Sequence, residues 1–449
     1  FKFFSFEGDK ISFINYLGAD LSDFFLAARF LNILLAILSI YFIYKISKNI
    51  FQEEWTALAS SFFLSTSLLH ILLSITSRQW LAVSFLLVLI LYFLTQPSFS
   101  FKKRYFLAVL TAGLGLGVSI VSGVFMIFIG LFYLFFEEKK ILELLKERFI
   151  YLVILMFIFL AVLPIILYPS ALGFQKDLFE ADPNPFSFFN PLLLAEPILM
   201  VFSIIGLIFT WLRARRIFWT FSLFFIAYSF IFYAFFRFED RFLTPLLPFF
   251  AILSGFGLRE LVKVKPVFRL IIVLFLIPAV FSARLGYLAY KDDSRSNLRS
   301  WIEENLPKGS KIIVNARLMR LSSTKEALEA QQNIDPDSFR QVDRSELYFG
   351  QSLTYSSFQA LNLYSVSNEK LPSIKDLSRY EYLVLSKEDF RKDVERHHEF
   401  EALAAGGDEI ISFGSDSEFS ISESRLGKNL LDLFKLKNLG PEVKLYKIK

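Results

Sequence analysis

Apolar runs long enough to cross a bilayer fill most of the first 290 residues, at 24–44, 55–73, 79–95, 148–168, 191–211, 217–236, 242–262 and 267–290. A helical span needs about 17 to 25 predominantly apolar residues, and soluble domains do not accumulate such runs. The composition agrees. Of 449 residues, 54% are hydrophobic and 18% aromatic, with 56 Phe, well outside the range of a water-soluble domain. The chain therefore reads as a polytopic membrane protein. It has no cysteine, so a disulfide framework, a thiolate metal site and a thiol nucleophile are all excluded.

The stretch 105–136 holds "AGLGLGVSIVSG", with Gly113, Gly115, Gly117 and Gly123. It reads as two short helices meeting at a Gly-rich turn, which raises the count to about ten spans. Charge distribution supports that number. With the residues before the first span outside, the loops at 45–54, 96–104, 137–148, 212–216 and 259–266 become cytoplasmic and carry nearly all the loop Lys and Arg, whereas the opposite loops hold only Arg78, Lys176, Arg237 and Arg241. This is the positive-inside bias. It also accounts for the net charge of +5 without a nucleic-acid surface. Segment 137–148, "EEKKILELLKER", reads either as an interfacial helix or as a solvated connector.

After residue 290 the composition turns polar. "SRSNLRSWIEENLPKGSKIIVNA" has the pattern of a helix, a turn and a strand. Further strands are expected at 382–385, 409–413 and 443–448, and a helix near 387–400. The expected fold is mainly α: a polytopic transmembrane helical bundle followed by a small soluble α/β domain. The expected boundaries are 1–23 for the end of an extracytoplasmic loop, 24–290 for the bundle and 291–449 for an extracytoplasmic α/β domain.

Several features have two readings. "GLGLGV" lacks the flanking strand and downstream acid of a nucleotide loop, so helix packing or a turn is the better account. His397 and His398 are adjacent on a helical stretch and point apart, which favours a solvated face over a metal site. His70 is either a hydrogen-bonded packing histidine or, as an ionisable group at membrane depth, a functional residue. Arg78 either snorkels to the headgroups or grips a phosphate with its fork of donors. In "RFEDRFLTPLLP", Arg237, Glu239, Asp240 and Arg241 crowd the outer lip of a span. The acids either pair with the arginines or belong with them to a polar mouth for an anionic headgroup.

The run beginning "LAARFLNILLAILSIYFIYK" at Leu26, the Gly-rich double span, "RFLTPLLPFFAILSGFGL" from Arg241 and "LRSWIEENLPKGSKI" from Leu298 together resemble the C-type, polyprenyl-phosphate-sugar-dependent membrane glycosyltransferases. The similarity is greatest to the protein O-mannosyltransferase and lipid A aminoarabinose transferase relatives. That resemblance implies an inverting glycosyltransferase of the cell envelope, embedded in the plasma or inner membrane. It would transfer a sugar from a polyprenyl-phosphate donor to a lipid, glycan or protein acceptor on the extracytoplasmic side. It implies no certain cofactor, although a divalent metal is compatible. Arg78 and Arg241 match outer-mouth positions that would hold the donor phosphate, with Arg237 a third; His70, Gln79, Glu239 and Asp240 would support the mouth. The catalytic acid of the family lies upstream of the region matching Arg29. Because this chain opens on Phe rather than Met, the expectation is that its natural N-terminus and that acid are missing, leaving Asp20 and Asp23 as weak candidates for the base. Gln79 stands where many relatives carry an acid. A transporter or flippase, or an inactive scaffold of the same fold, is the alternative.

Overall fold

The structure, a computed structural model, describes residues 22–76, 78–138, 148–167, 189–235, 239–263, 268–316, 319–336, 347, 358–364, 366, 368–386, 394–415 and 430–449. It contains two compact units, one built on Ala28–Gly286 with a short turn at Leu430–Phe434, the other on Tyr287–Ser422 and Lys435–Lys449.

In the helical unit, helices occupy Ser22–Phe51, Glu54–Ser65, Leu68–Ser74, Trp80–Thr95, Phe101–Val118, Phe125–Leu131, Arg148–Leu167, Asn190–Ala195, Pro197–Arg213, Arg215–Phe235, Leu247–Val262 and Phe268–Tyr290. Among the described residues, each apolar run read from the sequence is thus largely helical. The count of about ten spans is not confirmed, however. Among the described residues, four helical segments are long and apolar enough to cross a membrane, and a fifth qualifies if Glu54–Ser65 and Leu68–Ser74, bent by 59°, form one broken span. The physical reason is local. Several runs are cut by turns: Ser67 caps a new helix with its side chain, and Pro197 restarts the chain after a break at Glu196. Shorter apolar helices such as Trp80–Thr95 and Pro197–Arg213 remain.

The Gly-rich stretch does break into two helices, and of its four glycines only Gly123 lies in the turn between them, a 3-10 segment at Ile120–Val124. The first helix runs through Gly113, Gly115 and Gly117 to Val118, and the chain turns at extended Ser119, whose hydroxyl accepts from Val121 N (3.4 Å). Gly113 gives room to Leu160, and Gly115 to Ser122. Close packing therefore explains the first two glycines. Segment 139–147, the core of the expected interfacial connector, lies outside the described residues.

Helix Leu247–Val262 is the centre of the unit and is buried almost along its whole length. It packs against Glu54–Ser65 and Pro197–Arg213. A Cβ on Gly206 would overlap the Leu253 carbonyl, and one on Gly257 would overlap the backbone at Phe202 and Gly206. Such small residues allow backbones to approach where lipid offers no hydrophobic drive. Ser254 Oγ donates to Leu199 O (2.8 Å) across the same contact. The outer helices instead expose large apolar side chains, including Leu31, Leu34 and Ile37 on the first helix and Leu155, Phe159 and Ile166 on Arg148–Leu167. Apolar faces this extensive are stable only against lipid or another apolar surface. The chain is an integral membrane protein.

The second unit is an α/β domain with a five-stranded sheet in the order β2-β1-β3-β5-β4, where β1 is Lys311–Asn315, β2 Gln359–Asn362, β3 Tyr382–Ser386, β4 Asp408–Phe413 and β5 Val443–Lys447. Strand β1 pairs parallel with β2 and β3, and β5 pairs antiparallel with β3 and β4. Side chains alternate across a strand: Ile312 and Val314 join Leu298 and Ile302 on one face, while Ile313 joins Leu383, Leu385 and Phe400 on the other. The strands expected at 382–385, 409–413 and 443–448 are present. Strand β2 and helix Lys325–Ile334 were not legible.

Candidate functional site at a polar corner of the helical unit

Two sequence-distant segments meet where helix Trp80–Thr95 begins and where a 3-10 turn, Asp240–Leu246, leads into the central helix. Ser84 Oγ donates to Thr244 O (3.1 Å), Thr244 Oγ1 donates to Arg241 O (2.7 Å), and Tyr228 OH donates to Phe242 O (2.7 Å). Pro245 within the turn removes one backbone donor. These side-chain bonds supply partners for carbonyls that the irregular backbone would otherwise leave unsatisfied. Trp80 and Phe242 pack edge to face at 4.8 Å.

Arg241 emerges from this turn with its guanidinium 5.8 Å from the Trp80 ring centroid and 5.9 Å from that of Phe242, within cation–π range. It forms an ion pair with Glu239, and the two side chains are 20% and 37% exposed. The arginine is thus partly open to solvent rather than fully enclosed. Arg78 lies two residues before Trp80, at the same corner. Its carbonyl accepts from Asn32 Nδ2 (2.9 Å), which also donates to Thr76 O (2.5 Å). Asn32 is buried on the first helix, in the "RFLN" that opens the run resembling the glycosyltransferases. Nothing in the sequence alone assigns that asparagine a role. It ties the first helix to the backbone that carries Arg78.

The other expected residues are placed as follows. Glu239 caps the 3-10 turn and Asp240 begins it, both half-buried. Gln79 is exposed at the start of helix Trp80–Thr95. His70 is enclosed in helix Leu68–Ser74, only 3% exposed, and its Nε2 has no hydrogen-bond partner among the described residues. It is an interior residue rather than part of an exposed rim. Arg237 and Asp20 lie outside the described residues; Asp23 lies in the first turn of Ser22–Phe51. Among the described residues, no three His, Asp or Glu side chains are grouped as a metal site would need.

A second polar feature escaped the sequence reading. Glu196, buried between helices Asn190–Ala195 and Pro197–Arg213, accepts from Ser67 Oγ (2.8 Å) and Leu69 N (2.9 Å). It thereby fixes the break that starts the helix bearing His70. Two helix breaks thus meet at one carboxylate. An isolated Glu before a Pro gives no sequence signal for a contact across more than a hundred residues.

The fold and corner define a class: an integral membrane protein with a helical unit, an α/β unit and an Arg-bearing polar corner. Residues 11–168 match the family described as dolichyl-phosphate-mannose-protein mannosyltransferase, which bears out the resemblance read from the spans. Among solved structures, the chain is similar to ArnT from Cupriavidus metallidurans bound to undecaprenyl phosphate, with 10% identity over 97% of this chain and 87% of that one and a TM-score of 0.49. The apo state of the same protein gives 12% identity over 93% and 83%, with a TM-score of 0.45. No curated protein matches by sequence.

Proposed function

We propose that the protein is a membrane glycosyltransferase that takes a sugar from a polyprenyl-phosphate donor and transfers it to an acceptor on the extracytoplasmic side. The observation that carries this reading is the family match over residues 11–168, the stretch in which Asn32 holds the backbone before and at Arg78. Arg78 and Arg241 hold the donor phosphate, with Arg237 as a third cation. The acceptor oxygen attacks the anomeric carbon while the bond from that carbon to the lipid phosphate oxygen breaks. The electron pair leaves with the phosphate, where forked guanidinium donors stabilise the developing charge. A carboxylate takes the acceptor proton, and Asp20 and Asp23 are the acids of this chain to test in that role.

Two measurements test the reading. Undecaprenyl phosphate is titrated into the purified protein in nanodiscs. Arg241→Ala and Arg78→Ala weaken binding by about tenfold or more, and the Lys variants nearly as much, because a point charge does not reproduce a bidentate fork. Wild-type affinity in all four variants overturns the phosphate assignment. For sidedness, a single cysteine replaces exposed Lys308 in this cysteine-free chain. It is labelled by an impermeant thiol reagent in intact cells if the α/β domain is extracytoplasmic; labelling only after lysis overturns that placement.

A further inference from the structure

The α/β unit holds a cleft of about 770 Å³ lined by Tyr290, Lys291, Asn297, Phe413, Lys437 and Asn438, among others. Its volume lies in the range of about 300–1,000 Å³ typical of small-molecule sites. Its chemistry belongs to none of the residues assigned above to the donor.

The walls are fixed by cross-links between distant parts of the chain. Ser294 N donates to Leu439 O (3.0 Å) and Ser294 Oγ to Pro441 O (2.6 Å). Asp293 caps helix Ser294–Asn305 and accepts from Arg295 N (2.9 Å) and Arg295 Nε (2.8 Å). Lys291 Nζ donates to Lys437 O (3.2 Å). Gly414 and Gly440 have φ of +92° and +106°, and a Cβ on either would run into Pro441 O or the Asp293–Ser294 side chains. The cleft is therefore pre-formed, which lowers the ordering cost of binding.

Its polar groups are poised rather than spent. Asn297 Nδ2 and Asn438 Nδ2 both donate, at 3.4 and 3.5 Å, to the Asp292 carbonyl. Asn438 is 7% exposed, and its Oδ1, a buried acceptor, has no hydrogen-bond partner among the described residues. A buried acceptor left unmade is costly, and a ligand that brings a donor relieves that cost. Beside it Tyr290 stands 90% exposed, a rigid aromatic face with a polar tip.

We propose that this cleft is a binding site for a glycan, one hydroxyl donating to Asn438 Oδ1 and the apolar face of a sugar ring lying on Tyr290. Alternating hydroxyls and C–H faces satisfy both features at once, and Lys291 and Lys437 add donors for further sugar oxygens. The site is independent of the donor reading and requires no transfer.

The test uses the full chain in nanodiscs and saturation-transfer NMR with maltotriose, mannotriose and triacetylchitotriose as probes. At least one trisaccharide receives saturation. Tyr290→Ala, at an exposed position, weakens its binding by about fivefold or more, the effect of losing one aromatic anchor, and Asn438→Leu removes it. Undecaprenyl phosphate binding by Tyr290→Ala stays at the wild-type level, so failure of either reading leaves the other standing. No transfer to any of the three sugars, or transfer unchanged in either variant, overturns the glycan site.

Discussion

The central helix Leu247–Val262 carries a charged cluster at each end, and the two clusters use the same residue types in opposite ways. At its C-terminal end the Glu260 side chain is completely buried and receives Arg213, Arg259 and Lys263 (Nζ at 2.8 Å), while Arg259 also pairs with Glu53. Just before its N-terminal end Arg241 pairs with Glu239, and both remain partly exposed. The helix places the two clusters on the order of 24 Å apart. One is closed, with a carboxylate surrounded by cations that tie three helices together. The other is open, with a cation that lies over Trp80 and pairs with one partly exposed acid. A buried charge that loses its partners is costly, whereas an exposed pair contributes little. The closed end is therefore suited to holding helices and the open end to exchanging its partner for a ligand.

The largest effect expected from this contrast is at the closed end. Arg259→Ala removes a partner from both Glu53 and Glu260, and the loss of stability should be about 2–3 kcal/mol, below the cost of breaking a fully buried pair because Arg213 and Lys263 remain on Glu260. Arg241→Ala should cost under about 1 kcal/mol while weakening undecaprenyl phosphate binding. Thermal unfolding in one detergent compares the two. Equal losses of stability would erase the distinction between a structural end and a binding end.

How much of this contrast was legible in sequence depends on the range of each interaction. The helices themselves follow from hydrophobic runs, which are local, and the opening of the first one at "RFLN" carried the family resemblance. The cluster at 237–241 was visible as charge beside an apolar run, but its pairing with the Trp80 corner was not, since 160 residues separate Ser84 from Thr244. The basic residues Arg213, Arg259 and Lys263 were read only as a loop signal; nothing local indicates that they converge on Glu260. Glycines were visible, but at 113–117 helix packing and a turn stayed open together, because spacing alone does not separate a turn from close helix contact. In the α/β unit, β1, β3, β4 and β5 show apolar alternation or runs, whereas "QALN" of β2 carries too few apolar residues to stand out. Asn438 has no sequence signature at all: its importance lies in what its oxygen lacks in three dimensions.

The smallest effect sharpens the comparison most, because it separates the two roles at a single acid. Under the proposed function, Glu239 and a lipid phosphate would compete for the same guanidinium, Arg241, which Glu239 pairs with here. Glu239→Gln keeps shape and removes charge, so the ion pair is lost while Arg241 stays over Trp80 and Phe242 through contacts that do not involve the acid. The change in stability should fall below about 1 kcal/mol, as for other exposed pairs. Affinity for undecaprenyl phosphate should rise by a few-fold, roughly 2–5-fold for a competing pair worth about 0.5–1 kcal/mol, and the gain should shrink in high salt as the exposed charges are screened. A titration of wild type and Glu239→Gln at two ionic strengths measures both. If the variant instead binds as weakly as Arg241→Lys, Glu239 orients the arginine rather than competing for it, and the open end would be a preassembled ion pair in which the acid is as necessary as the cation.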